Sequence, residues 1–328
     1  MAQRSRQGFK KSKENKFPGG TKSFIAVLAV IAAALIGYFI GGDFTTSPTV
    51  NTPDDAQSET SGTAQSSQTA QVHFINVGQG DCELIVADDG TTMLIDAGES
   101  EYGATVVDYI KSLGITRLDY VVGTHPHSDH IGGLKDVLLS DLDVGVVITP
   151  SIPDEYTPTT KSYERFIDAV AQKGCEVSDV TDESFDMGSG RITVIDTEYS
   201  SDNYNNYSAV ILFEFGENSF LFTGDIEKTI EKQLVENDAP IDVDVLKVAH
   251  HGSSTSSCFD FLDAVTPEYC VIECGDSSYN HPNPDTVTRL KAYTQNIYRT
   301  DNQGNIVFTC TADGLSVTCE KGEEDEAA

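Results

Sequence analysis

Apolar and polar positions divide the chain into stretches of very different character. Residues 24–40, FIAVLAVIAAALIGYFI, form an unbroken run of 17 uncharged and almost wholly apolar residues. A run with no polar face does not fit an amphipathic helix on a soluble core. At 1.5 Å per residue it reaches the short end of what spans a hydrocarbon layer of about 30 Å, so residues 23–42 predict one transmembrane helix. Residues 43–70 are Ser, Thr, Gln, Asp and Pro with hardly a large apolar side chain, and predict a disordered linker. From 71 to 320 short apolar segments alternate with Gly, Asp and Asn punctuation, as in one folded domain, and KGEEDEAA at 321–328 predicts a solvated acidic tail.

Within the domain, period-two alternation and continuous apolar runs predict strands at 72–77, 83–87, 92–96, 118–124, 144–148, 191–195, 208–215, 218–223, 243–248 and 269–273. A closing hairpin over 304–319 is predicted to turn at Asp313-Gly314. Helical spacing predicts helices at 102–113, 131–139, 162–173, 227–237, 257–264 and 284–293. Strands and helices alternate in the middle, and strands cluster at both ends. That order points to an α/β fold of sheets covered by helices rather than a simple doubly wound sheet.

Charge changes this picture. The chain has 52 acidic and 21 basic side chains, a formal charge of −31. Residues 1–22 hold seven basic groups and one acidic group, net +6, which leaves 14 basic and 51 acidic groups, net −37, in the other 306 residues. A basic flank beside an apolar run assigns residues 1–22 to the cytoplasm and the domain to the outer side of the cytoplasmic membrane, as a single-pass protein. A cleaved signal peptide is the competing reading; the length of the run and the lack of an A-x-A site after it favour an uncleaved signal anchor. So acidic a chain lacks the basic face of a general nucleic-acid binder. Seven cysteines with no CxxC pair fit neither a disulfide miniprotein nor a structural zinc finger. Disulfides are permitted outside the membrane, and Cys310 and Cys319 are a candidate pair, although a two-residue loop between them does not set them directly opposite.

The strongest chemical signal is THPHSDHIGG at 124–133, which sets His125, His127, Asp129 and His130 directly after an apolar strand. Neutral imidazole and carboxylate are good ligands for zinc and similar divalent ions. Extended spacing aims His125 and His127 to one side, and Asp129 and His130 then offer ligands to a second ion. Two further apolar strands end the same way: FLFTGD in Asp225 and VLKVAHHGS in His250 and His251. Taken singly, an Asp after a strand is most simply the cap of the next helix. Together, the segments supply what two ions about 3.5–4 Å apart require: a shared carboxylate and two sets of flanking ligands.

In that order, His125, His127, Asp129, His130, Asp225 and His250 resemble the metallo-β-lactamase superfamily. FINVGQGDCELI (74–85), TTMLIDAG (91–98), FLFTGDI (220–226), VLKVAHHGSSTS (245–256), SYNHPNPDTVTRL (278–290) and YRTDNQGNI (298–306) resemble one branch of it more closely. That branch is the extracytoplasmic hydrolase domain of ComEC-type DNA-uptake competence proteins and its stand-alone relatives. The match covers about residues 72–310.

The resemblance implies a four-layer αβ/βα sandwich with two divalent ions, zinc or manganese, at one edge between two sheets. His125 and His127 would bind the first ion, Asp129, His130 and His250 the second, and Asp225 would bridge. Asp96 would orient the metal-binding loop from behind. The wider superfamily has one more His before the bridging Asp; here none lies between His130 and His250, and Asn205, Asn206 or Ser208 stands at that place. The first ion is therefore expected to be weakly held, completed by water, or absent. Asp129 or Asp225 would orient the metal-activated water, and His251 and His281 are the candidate donors to the phosphoryl or leaving oxygen. Gln79, Asp81 and Asn280 are expected to line the substrate cleft.

The implied reaction is hydrolysis of a phosphodiester in DNA or a nucleotide. With one apolar span the chain cannot itself form a DNA channel, so a separate uptake channel is the expected partner. The ligand types taken alone support only metal-assisted hydrolysis. Two other readings therefore stand beside it: hydrolysis of another ester or amide (a phosphorylcholine ester, a lactone, a β-lactam), and a non-catalytic binding module with an incomplete metal site.

Overall fold

The computed structural model describes residues 68–311 and 314–322. The basic segment 1–22, the apolar stretch 23–42, almost all of the linker 43–70, the turn residue Asp313 and all but two residues of the acidic tail lie outside the described residues. Among the described residues no helix is long and apolar enough to cross a membrane.

Two sheets face each other. The first contains β1 (Ala70–Phe74), β2 (Glu83–Val86), β3 (Thr92–Ile95), β4 (Arg117–Val122), β5 (Asp143–Ile148), β6 (Glu176–Ser178), β14 (Ile306–Thr311) and β15 (Gly314–Cys319), in the order β15-β14-β1-β2-β3-β4-β5-β6. The second contains β7 (Glu183–Met187), β8 (Gly190–Ile195), β9 (Val210–Phe215), β10 (Asn218–Phe222), β11 (Val245–Lys247), β12 (Tyr269–Ile272) and β13 (Asn296–Arg299), in the order β13-β12-β11-β10-β9-β8-β7. Strands β3 to β6 run parallel, as do β10 to β13. Alternate side chains of the same strand serve different layers. In β3, Met93 and Ile95 enter the layer between the sheets, while Leu94 points to the outer layer. Burial on both faces is why these strands read as continuous apolar runs.

Helices cover both outer faces. On the first sheet lie α1 (Gly103–Ser112), α2 (Ser128–Ile131), α3 (Leu134–Leu139) and α4 (Lys161–Lys173), packing Val106, Ile110, Leu134 and Phe166 onto Leu84 and Val121. On the second lie α5 (Lys228–Glu236), α6 (Phe259–Val265) and α7 (Pro284–Leu290), packing Ile230, Phe261 and Leu290 onto Leu221 and Leu246. The result is the expected four-layer αβ/βα sandwich.

Three strands carry no element in the sequence reading: β6, β7 and β13. All three are sheet edges, and an edge strand lacks the two-sided burial that writes an apolar run. The four-residue helix α8 (Thr300–Gln303) was missed too. The single helix expected over 131–139 is two short ones, split at Gly132-Gly133. A Cβ at Gly133 would stand 2.2 Å from the Ala97 carbonyl oxygen, so the loop packs against the end of β3 only because that position is glycine. The hairpin register sets Cys310 opposite Leu315 and Cys319 opposite Ile306, and no disulfide joins the described cysteines; the expected bridge is not present.

Phe308 of β14 ties the sheets together. Its ring meets Phe74 at 5.9 Å, Phe220 at 5.8 Å, Tyr269 at 5.6 Å and Tyr298 at 6.1 Å. It is fully buried. Phe308→Ala is expected to cost about 3–5 kcal/mol in chemical denaturation, because the four surrounding rings cannot all close the cavity.

Candidate metal centre

The chemistry-bearing residues follow the ends of central strands. Asp96 follows β3; His125, His127, Asp129 and His130 follow β4; Asp225 follows β10; His250 and His251 follow β11; Glu273 follows β12; Asp81 sits in the turn between β1 and β2. Strand ends from both sheets thus converge on one edge of the sandwich. The VGQGD turn lies against the His-rich loop: Asp81 N–H donates to the Asp129 carbonyl (3.1 Å), and a Cβ at Gly80 would stand 2.3 Å from that same oxygen.

Asp225 is the centre, with 2% exposure. Its Oδ2 lies 3.3 Å from His130 Nε2, 3.6 Å from His251 Nε2, 3.7 Å from His250 Nε2 and 3.9 Å from His125 Nε2. Two ligand groups share it. One is His125, His127 and Asp225; the other is Asp81, His130, Asp225 and His251, with ligand atoms all within 4.8 Å of one another in each group. In the second group His130 Nε2, His251 Nε2, Asp225 Oδ1 and Asp81 Oδ1 are buried without a hydrogen-bond partner. Buried polar atoms left unpaired cost free energy. Two imidazoles and two carboxylates meeting in one group, with buried polar atoms left unpaired, fit a divalent cation such as zinc or manganese.

The outer atoms of these ligands are fixed. Asp96 Oδ2 is 2.7 Å from His130 Nδ1 and accepts from Thr124 Oγ1 at 2.5 Å, while its Oδ1 accepts from Thr124 N–H at 2.9 Å. His251 Nδ1 meets the Glu273 carbonyl at 2.9 Å and Asp81 Oδ1 at 3.2 Å. Each ring therefore presents Nε2 inward. His125 turns Nδ1 to Thr124 and Ser208 Oγ, both 3.2 Å, and Nε2 to His127 Nδ1 at 3.0 Å.

The structure separates residues that the sequence treats alike. His251 takes the place in the second group where the sequence reading put His250; Asp129, also expected there as a ligand, lies outside both groups, its Oδ2 3.3 Å from His251 Nε2. His250 instead turns Nδ1 toward Thr255 (3.2 Å), Asn205 (3.4 Å) and Glu227 (3.7 Å). Asp81, expected in the cleft, is 1% exposed and buried beneath it, ion-paired with Lys247. Of the three residues at the place of the missing His, Ser208 backs His125 and accepts from Asp225 N–H. Asn205 lines the cavity, and Asn206 Oδ1 accepts from Glu227 N–H away from the ligands. A cavity of about 320 Å³ opens over the site, lined among others by Gln79, Asp129, Thr160, Ser162, Tyr279 and His281. Asn280, the remaining cleft expectation, is exposed on that loop with φ 58° and is not part of the lining.

Sequence reasoning missed Lys247, Glu83 and Glu273, which lie fully buried beneath the ligands. The signal was present: Glu83 and Glu273 bound apolar runs and Lys247 interrupts one, and a buried charge needs a partner. Burial and then Glu273 push Glu83 well above the ordinary carboxylate range, and burial and then Asp81 push Glu273 up to about 7.

Electrostatics divide the histidines. Burial, then the neighbouring His130, hold His125 well below its ordinary value, and the same causes lower His127. Both are neutral, with a lone pair free for a metal. Burial also opposes charge on His130 and His251, but Asp225 and Asp81 overcome it, lifting His130 well above its usual value and His251 to about 10. Without metal, protons on these rings balance the carboxylates; a divalent ion must expel them. At pH 7 metal uptake is therefore expected to release a proton from each ring, and affinity is expected to rise with pH until about 10. Calorimetric titration in buffers of different ionisation enthalpy checks this. The sign for stability is the reverse: the His251 contribution in the metal-free protein is full below about 6.5 and is lost as pH rises toward about 10.

Comparison with known proteins agrees with this architecture. The family model described as metallo-beta-lactamase superfamily matches residues 75–272. ComE operon protein 3 of Bacillus subtilis is 27% identical over 262 residues, covering 74% of this chain and 33% of that protein. Competence protein ComA of Neisseria gonorrhoeae is 31% identical over 242 residues, covering 73% and 32%. The chain thus spans about a third of the length of these relatives. Among solved structures, a metal-dependent hydrolase of the β-lactamase superfamily aligns with TM-score 0.45 and 14% identity, covering 73% of this chain and 98% of that one. With the family model spanning β2 to β12 and all the strand-end ligands converging on Asp225, the chain belongs to the metallo-beta-lactamase superfamily.

Proposed function

We propose that the domain is a metal-dependent phosphodiesterase acting on DNA or nucleotides, held outside the cytoplasmic membrane by an anchor at residues 23–42. The observation that carries the reading is the set of unpaired buried atoms around Asp225 at the floor of an open cavity. His125, His127 and Asp225 would hold one ion, and Asp81, His130, His251 and Asp225 a second. The substrate class is supported by the likeness to proteins named for competence and by the match to ComEC-type DNA-uptake hydrolase motifs.

Divalent ions supply Lewis acidity, polarising a phosphoryl oxygen and acidifying a water. The chain's own residues do the rest. Asp129 stands at the cavity wall; burial opposes its charge, but the neighbouring His251, its Nε2 3.3 Å away, and the charge on His130 hold its pKa well below the ordinary range, so it remains an acceptor that can orient a water. His281 is lowered to about 4 by burial, then by His250 and His251, so at pH 7 it is neutral. It can donate a hydrogen bond to a phosphoryl oxygen rather than a full proton. His251, with Nδ1 committed to Glu273, serves as a ligand on this reading rather than as a mobile acid.

Turnover of bis-p-nitrophenyl phosphate and of linear DNA by the metal-loaded full chain tests the reading. Asp225→Ala is expected to abolish turnover and to lower metal content. Asp96→Asn, which disturbs the support behind His130 and Thr124, is expected to lower activity about 10–100-fold. If the wild-type protein cleaves neither substrate but opens a lactone, a β-lactam or a phosphorylcholine ester, the phosphodiesterase reading is wrong.

A further inference from the structure

Three aromatic rings run from the metal centre to solvent. His251, 1% exposed, faces His281 with ring centroids 6.1 Å apart and planes 29° apart. His281 faces Tyr279 at 5.9 Å and 27°. Tyr279 ends the column and is 69% exposed. The large hydrophobics at least 40% exposed include Leu113, Leu139, Ile167, Val177 and Phe259, and none of these lines the cavity over the ligands, whereas Tyr279 does. The loop that carries it is tied to the ligand segment: Asn283 N–H donates to the Gly252 carbonyl at 2.9 Å.

We propose that Tyr279 is a specificity-determining residue, a platform on which a base of the substrate strand stacks as the next ring of the column. This rests on the phosphodiesterase reading and narrows it to substrates that carry a nucleobase. A chain of net charge −31 has little means of capturing a polyanion through its phosphates. Stacking needs no positive surface and accepts any base, because every base has a π-face. A base seated on Tyr279 sits at the rim of the cavity whose floor is Asp225, so the adjoining phosphate is directed inward.

The full chain is tested with two esters that share a leaving group, thymidine 5′-p-nitrophenyl phosphate and methyl p-nitrophenyl phosphate. In Tyr279→Ala the KM for the thymidine ester is expected to rise about 5- to 100-fold relative to that for the methyl ester. Tyr279→Phe is expected to restore the ratio. Equal losses on both esters, or no loss on either, overturn the proposal. A second readout needs no turnover. The chain contains no tryptophan, so Tyr279→Trp supplies a single tryptophan that can be excited where tyrosine does not absorb. Thymidylyl-thymidine is expected to quench it saturably, and an abasic dinucleotide is not. Equal quenching by phosphocholine would mark a cation site instead, and absence of quenching removes the platform; either overturns the proposal. Quenching without hydrolysis of either ester leaves the platform standing and refutes the phosphodiesterase reading; hydrolysis without quenching does the opposite.

Discussion

Negative charge buried around Asp225 is the constraint on which the rest of the site depends. Asp81, Asp96 and Asp225 are each at most 2% exposed and lie within reach of one another's partners. Carboxylates taken out of water in this way must be neutralised or paired. Lys247 supplies one fixed positive charge against Asp81. The remainder falls on His130 and His251, whose protons are exchangeable for a metal ion. The same buried carboxylates could thus be neutralised either by protons on these two rings or by a bound divalent ion. Lys247 is fixed in place: its fully buried ammonium lies between Asp81 and the Gly224 carbonyl.

That nest can exist because of where the strands stop. Parallel strands β3 and β4 in one sheet, and β10 to β12 in the other, deliver their carboxyl ends to one edge of the sandwich. The apolar layer between the sheets, with Phe74, Phe220 and Phe308 in contact, fixes the spacing of the two sets of ends. Behind the ligands, Glu231 of α5 accepts from the backbone N–H groups of Ser257 and Cys258, and Arg289 donates to the carbonyls of Ser256 and Ser257. These bonds hold the segment that follows His251. Packing of the apolar layers and orientation of the ligands are thus the same structural fact seen from two sides.

Much of this was legible along the chain, and the parts that were not have physical causes. The cluster His125 to His130 was readable because its members are adjacent in sequence and follow a buried strand. Asp225 and the His pair were readable because their strands, β10 and β11, are central and write clear apolar runs. Which of the two His residues faces Asp129 was not readable. It is set by the backbone, where His250 and His251 both adopt left-handed conformations, φ 53° and 52°, which turn the second ring inward. Such a turn breaks the alternation on which an extended reading relies. Asp81 was placed in the cleft because a Gly-rich turn usually lies at the surface; Lys247, 166 residues away, holds it inside. Edge strands β6, β7 and β13 escaped because they are half-exposed and carry polar residues such as Glu183, Asp186 and Arg299.

The strong acidity of the chain then has a consistent place. A surface that repels polyanions would be a poor home for phosphodiester chemistry if phosphate capture had to come from Lys and Arg. On the proposed reading the positive charge would come from divalent ions at a desolvated point, where each unit charge acts through a lower dielectric and is less screened by salt than on a surface. Bound divalent ions at that point make a local field opposite in sign to the shell around it. A base on the outer ring of an aromatic column would add attraction that does not depend on charge at all. On the proposed reading, acidity outside, cations within and an uncharged stacking face between them would together favour brief, local engagement of a strand over wrapping of a long duplex.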